Sequence, residues 1–370
     1  MISLDRLRRY AVARSLFPPT TLGRAIVKLG FVQADPIRAP ARAQDLMLRH
    51  RVTGYTAGDL ERRYPKLDVE EDFFVNYGFL PRASQALMHP RVAPASWRVG
   101  TKQRSREVLE FVRDHGPVHP RAVDEHFGHG RVTNYWGGSS NATSHLLNNL
   151  HYQGLLRVVR RESGIRIYAA HVHQVRPTGA GSRRQAMDEL VDVIVNQYAP
   201  LPAASLCGLV SRLRFGAPQL GAERKGALER AKARLARARI DGVDWYWPAN
   251  ESVPRKPDAR FDEARFLAPF DPVVWDRRRF ELFWGWPYRF EAYTPAPKRK
   301  LGYYALPLLW RDAVIGWGNL SVRDGLLDAD IGLVAERIVE PSFRTAVQTE
   351  LERMAQFLEA RGIGRLPPWL

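Results

Sequence analysis

Cysteine is nearly absent from the chain. Cys207 is the only one in 370 residues, which excludes a disulfide scaffold, a cysteine zinc ribbon and an iron–sulfur cluster. Long apolar runs are missing too, so no segment reads as a membrane span. Met1 to Phe17 carries Arg6, Arg8, Arg9 and Arg14 with no apolar stretch behind them, and the expectation is that this is not a signal peptide. There is no Walker loop, no GxGxxG before a helix, no HExxH and no GxSxG. Acidic residues are in short supply, at 39 against 56 Lys plus Arg, for a net charge of +17. With 45% hydrophobic and 11% aromatic residues the chain can bury a core. These features describe a soluble protein of a reducing compartment, with a polyanionic partner and nucleic acid as the first candidate.

The positive charge is not confined to a tail. From Arg224 to Arg239 seven basic residues face one acid, Glu229. Leu228, Ala231, Leu235, Ala238 and Ile240 recur between them, which predicts a helix with a basic outer face running to Ile240.

That helix belongs to a repeating order. Over 102–170 the pattern reads helix, helix, helix, hairpin. Arg104–Asp114 is followed by Gly116-Pro117. Pro120 opens a second helix closed by Gly128, and Ser140 can cap a third closed by Gly154. Leu155–Arg160 and Ile165–Tyr168 alternate as strands. Three helices and a hairpin is the winged-helix order, whose third helix commonly enters a DNA groove. The order recurs over Met187–Tyr198, Ala203–Leu213, the basic helix and a strand at Gly242–Trp247. At the front, Leu4–Leu16 and Thr21–Leu29 are helical, Phe31–Asp35 is extended, and Pro36 starts a helix through Arg51. After Pro254 helical periodicity fades and aromatics become dense. Tyr288–Tyr293, Tyr303–Trp310 and Ala313–Gly316 read as strands, with Ser321-Val322 and Ile331–Leu333 adding two more. Phe343–Ala360 closes the chain as a helix. The predicted fold is therefore α+β, with winged-helix modules at 1–100, 101–175 and 180–252. A small β-barrel at 255–340 and a C-terminal helix at 341–370 follow.

Few residues carry obvious chemistry. His119, His126 and His129 lie close together in sequence, but no acid or thiol completes a metal site, and they read as surface histidines at a turn. Trp136–Ser140 suits either a phosphate held on backbone amides or a tight turn leading into a helix. Cys207 reads as buried packing. Gln33-Ala34-Asp35 is the most informative segment. In an extended chain its carboxamide and carboxylate share one face. Asp35-Pro36 equally suits a helix cap followed by proline at the first helical position.

At these residues the sequence resembles the bacterial winged-helix DNA glycosylases of the YcaQ/AlkZ type. Gln33-Ala34-Asp35 is similar to their Gln-x-Asp motif. Leu267–Arg277 resembles their SPFD…DR stretch, and Glu291-Ala292-Tyr293-Thr294-Pro295-Ala296-Pro297-Lys298-Arg299 matches the EAYxPxxKR signature of the crosslink-specific branch. Gly302–Leu308 continues in register. One departure follows Gly316, where Trp317-Gly318-Asn319-Leu320 is less polar than the family's strand. The resemblance implies three tandem winged helices, a β-barrel and hydrolysis of N-glycosidic bonds in DNA. It also implies Asp35 and Gln33 as catalytic residues, with Lys298, Arg299, Tyr293, Arg38, Lys225 and Arg234 as DNA contacts. No metal and no cofactor are expected. The expected partner is double-stranded DNA with alkylated or crosslinked guanine, met by a monomer in a bacterial cytoplasm at the nucleoid.

Chemistry supports the same expectation. Guanine alkylated at N7 is cationic, and its departure leaves an oxocarbenium-like sugar that a carboxylate can stabilise beside a placed water. A crosslinked base cannot be flipped freely, so an open site is needed. The alternative is a non-catalytic winged-helix regulator in which Asp35 only caps a helix.

Overall fold

The computed structural model describes residues 2–91, 99–128, 130–133, 139–171, 179–254, 262–334 and 340–370. Its elements run in chain order as follows. The first stretch holds α1 (Leu4–Ser15), α2 (Leu22–Leu29), β1 (Val32–Gln33), α3 (Ala43–Leu48) and α4 (Asp59–Arg63). β2 (Val69–Phe73), β3 (Tyr77–Pro81) and α5 (Arg82–Leu87) come next. The middle holds α6 (Val99–His115), α7 (Pro120–Phe127), β4 (Arg131–Thr133), β5 (Ser139–Asn141), α8 (Ala142–Gln153), β6 (Leu156–Glu162) and β7 (Ile165–Ala170). Then follow α9 (Ala180–Tyr198), β8 (Leu201–Pro202), α10 (Ala203–Gly216), α11 (Arg224–Arg234), β9 (Ala236–Ile240) and β10 (Val243–Trp247). The chain ends with β11 (Ala264–Phe266), α12 (Arg277–Trp284), β12 (Leu306–Trp310), β13 (Ala313–Arg323), β14 (Leu326–Leu333), α13 (Pro341–Phe357) and β15 (Gly362–Ile363).

The chain forms two compact units. Met1–Leu60, Asp192–Leu209 and Ala231–Leu370 make the first; Glu61–Val191 and Val210–Arg230 make the second.

In the second unit three helices and a hairpin follow in the expected order, but the short β4–β5 pair stands between α7 and α8, and Ser140 lies in β5 rather than at the helix start. α7 starts at Pro120 behind His119, whose ring accepts from the Arg121 N–H, and stops at Gly128 in the left-handed conformation. Val108 and Val112 of α6, Val123 of α7 and Leu147 of α8 are fully buried with Val158 of β6. Ser163 and Gly164 both have positive φ, the two-residue turn that suits the twist of a hairpin. Trp136 to Gly138 and His129 lie outside the described residues, while His126 packs its ring on Phe111 and Phe127. An unexpected feature is β2, whose Glu70, Glu71 and Asp72 are all buried. Glu70 pairs with Arg82 and Arg157, Glu71 with Arg161, and Asp72 with Arg91 and His89. Burial alone would push the Asp72 carboxyl up; Arg91 and His89 overturn that and hold it well below the ordinary range. Two wing arginines, Arg157 and Arg161, are therefore committed to buried acids.

In the first unit β11–β12–β13–β14–β15 form a five-stranded sheet, antiparallel except for the last pair. Among the described residues the strand order is open, a half-barrel in place of the expected closed one. Trp317 to Leu320 lie within β13, an eleven-residue strand paired on both sides. A Cβ on Gly318 would stand 2.5 Å from the Phe266 ring, so this residue lets the sheet close over that ring. The core joins Val12 of α1 and Leu16, which follows it, to Leu267, Val273, Val274, Phe280, Tyr288, Leu309 and Val314. Each such side chain contributes about 1.5–3 kcal/mol by leaving water.

Several expectations need correction. The helix expected from Pro36 to Arg51 is confined to α3. Pro40 lacks an N–H and disfavours helical geometry at Ala39, so helix is delayed until Ala43. The basic helix ends at Arg234, and Ala236–Ile240 is a strand with alternating burial. Its alanines and single arginines satisfy a period of two as well as one of 3.6. Tyr288–Tyr293 is not a strand, because its backbone is drawn into the loop closed by Glu291. α12 appears where helical periodicity had seemed lost. Cys207 is exposed, on the outward side of α10.

Candidate active site

β1 holds Gln33 extended, and the chain then turns at Asp35. The Ile37 N–H donates to Asp35 Oδ1 at 2.9 Å, while the Asp35 N–H donates to Gln44 Oε1 at 3.2 Å. Asp35 thus folds its own turn rather than capping a helix. It is 9% exposed and Gln33 3%. Among the described residues the second carboxylate oxygen of Asp35 accepts no hydrogen bond. Burial pushes the Asp35 carboxyl above the ordinary aspartate value, and the Ile37 N–H offsets only part of that. The Trp275 indole N–H donates to Gln33 Oε1 at 2.8 Å, so the amide's own hydrogens face away from the indole.

The 267–277 stretch is the scaffold of this site. Asp271 and Arg51 are both fully buried and pair through two bonds of 2.8 and 3.0 Å. Arg51 also donates to the carbonyls of Ser15 and Met47. Asp276 caps α12 through the Arg279 N–H at 3.1 Å, and Arg277 clamps the carbonyls of Val274 and Pro269 while lying over the Tyr288 ring.

The 291–303 stretch is a self-closed loop. The Glu291 carboxylate accepts from the N–H groups of Lys300 and Leu301, at 2.9 and 2.7 Å. Burial would raise its pKa, but these backbone donors hold it below the ordinary value. Arg299 donates to the Thr294 carbonyl at 2.8 Å and lies 5.0 Å over the Tyr303 ring. This leaves Tyr293, 82% exposed, and Lys298 at the surface. Behind them Phe290 packs on Phe270, Tyr293 and Tyr304 at 5.4, 5.9 and 5.1 Å. Tyr304 is buried, and the charge of Asp35 reaches its phenol.

The remaining DNA-contact candidates are scattered. Arg38 is exposed, three residues beyond Asp35, and Lys225 is exposed on α11. Arg234 pairs with Asp192, as Arg230 does with Asp188 four residues earlier. Two of the three arginines of the basic helix are therefore engaged by acids. Sequence reasoning assigned no role to Trp275 or Tyr304, although both stood inside the quoted stretches. Among the described residues no group of His, Cys, Asp and Glu is arranged to hold a metal ion, and no helix is long and apolar enough to cross a membrane.

The chain is strongly basic and α+β, with a buried carboxamide on a short strand and a buried carboxylate at the turn that follows it. The particular family follows from comparison: the sequence profile of the AlkZ-like DNA glycosylases matches residues 26–357, and the chain belongs to that family. It is accordingly a DNA N-glycosylase, and DNA is its substrate. The solved structure of the Streptomyces sahachiroi DNA glycosylase AlkZ is similar, with a TM-score of 0.62 over 99% of this chain and 98% of that one. At 13% identity the likeness is one of fold.

Proposed function

We propose that this glycosylase hydrolyses the N-glycosidic bond of N7-alkylated guanine, interstrand crosslinks included, with Asp35 and Gln33 as its catalytic residues. The observation that carries the reading is the state of Asp35. It is buried, one oxygen is fixed by the Ile37 N–H, and the other is left to a reacting group. The C1′–N9 bond breaks with its electron pair going to N9, so a cationic base leaves neutral. The Asp35 carboxylate stabilises the positive sugar, and water bound by the Gln33 amide attacks C1′ and gives its proton to Asp35. The products are the free modified base and an abasic site.

The likeness to the crosslink-specific signature supports the finer substrate class. Glu291 builds the loop that carries the signature, and Tyr293 and Lys298 are among its outward residues. Arg38 and Lys225 supply further contacts to the backbone of DNA. The three helix–wing modules divide the duplex among them, with the enzyme acting as a monomer at the bacterial nucleoid. Family membership disfavours the non-catalytic regulator.

The test is incubation with a duplex containing N7-methylguanine in excess EDTA. Free N7-methylguanine is expected from the wild type and not from Asp35→Asn. Excision that needs a divalent ion, or that survives in Asp35→Asn, overturns the site reading.

A further inference from the structure

Tyr304 is out of place as a packing residue. Its side chain is 2% exposed, yet its hydroxyl makes no hydrogen bond to any described residue. A buried hydroxyl without a partner is costly, and phenylalanine would fill the same space without that cost. The ring is held by an edge-to-face contact with Phe290 at 5.1 Å and 89°. Nearby Tyr288 satisfies its own hydroxyl on the Ala305 carbonyl at 2.8 Å, in contrast to Tyr304.

We infer that the Tyr304 hydroxyl is a donor reserved for the Asp35 carboxylate oxygen that carries no protein hydrogen bond. The contact is made in the complex with DNA, because such bonds are often long in the unliganded enzyme and tighten there. Tyr304 is thus a positioning residue: it orients Asp35 and favours its ionised form.

The electrostatics agree with this pairing. Burial pushes the Tyr304 phenol well above its ordinary value, and Asp35 is the next largest cause. The phenol therefore stays protonated and able to donate at any working pH. Arg277 pulls the other way, while Tyr288 and Tyr293 add to the rise. On Asp35 itself the resolved influences are burial and the Ile37 N–H. A second donor is what a buried carboxylate needs to remain ionised near neutrality.

The inference rests on Asp35 being catalytic, and the experiment separates the two claims. Single-turnover excision of N7-methylguanine is measured against pH for the wild type, Tyr304→Phe and Asp35→Asn. Tyr304→Phe keeps the ring and its Phe290 contact, so its Tm is expected to equal or exceed that of the wild type. Its acid limb is expected to move up by about one pH unit. Its plateau rate is expected to fall about three- to tenfold, with DNA affinity unchanged. An inactive Asp35→Asn beside a Tyr304→Phe whose acid limb stays in place overturns the role of Tyr304 alone. An active Asp35→Asn overturns the catalytic reading and this inference together.

Discussion

The indole of Trp275 donates to the amide oxygen of Gln33 at 2.8 Å, across 242 positions of sequence. An indole N–H can only donate, so this bond sets the orientation of the Gln33 amide. The same stretch supplies Asp271 to the buried Arg51. The 267–277 run thus acts as support: through Trp275 it steadies the segment that carries Gln33 and Asp35.

Trp275→Phe keeps an aromatic ring beside Tyr198, now 5.3 Å away, and removes the bond to Gln33. One hydrogen bond of about 1 kcal/mol corresponds to a slowing of roughly fivefold. The single-turnover rate should fall by that order with DNA affinity unchanged, and Gln33→Ala should fall at least as far. A Trp275→Phe enzyme as fast as wild type would reduce the indole to packing.

Asp35→Asn retains an acceptor for the Ile37 N–H, so fold and DNA affinity should persist. Base release should drop by about a hundredfold or more. Activity needs the carboxylate, so the wild-type rate should decline as pH falls through a value above the ordinary aspartate pKa. Stability runs the opposite way. A carboxyl raised in the folded state favours the protonated form, whose contribution is complete below the unfolded pKa and lost as pH rises through the folded one. Asp35→Asn should therefore melt no lower than wild type at about pH 7, and any advantage should vanish near about pH 4. Thermal melts across that range check the sign.

Local signals made the second unit legible. Pro120, Gly128 and Gly154 punctuate its helices, and Ser163-Gly164 turns its hairpin. What failed to show in sequence depends on distant partners. Glu70, Glu71 and Asp72 carry no local signal of burial, because the arginines that compensate them come from β6 and from residue 91. Arg230 and Arg234 read as a basic face because Asp188 and Asp192 lie 42 residues upstream. Asp35 was visible as chemistry, but its turn was mistaken for a helix start because the effect of Pro40 lies five residues on. Trp275 and Tyr304 lie within the stretches that carry the family resemblance, yet no local pattern distinguishes an indole that orients an amide from one that fills a core.

The buried pair of Arg51 and Asp271 should be costly to break singly. Asp271→Asn or Arg51→Met leaves an uncompensated buried charge, at about 3–5 kcal/mol. Urea unfolding of each variant measures this. The double replacement Arg51→Met with Asp271→Leu should recover a good part of the loss, since it removes both charges and keeps volume. A double variant as unstable as the worse single one would mean that the bonds from Arg51 to the carbonyls of Ser15 and Met47 dominate.

The loop closed by Glu291 separates two basic residues that look equivalent in sequence. Arg299 is built into the loop through the Thr294 carbonyl and the Tyr303 ring. Arg299→Ala should slacken the loop and slow excision of every substrate. Lys298 is exposed, and its backbone N–H bond to the Pro295 carbonyl, at 2.8 Å, survives truncation of the side chain. Lys298→Ala should leave the loop intact and remove one cation from the DNA contact. Because phosphate neutralisation releases counterions, the slope of log affinity against log salt should fall by about one for Lys298→Ala. A crosslink holds both strands at the site and presents more phosphate there. Lys298→Ala should therefore reduce unhooking of a crosslinked guanine more than release of N7-methylguanine, measured as single-turnover rates at one salt concentration. Equal losses on the two substrates would assign Lys298 to general affinity, and no loss on either would leave it a solvated surface lysine.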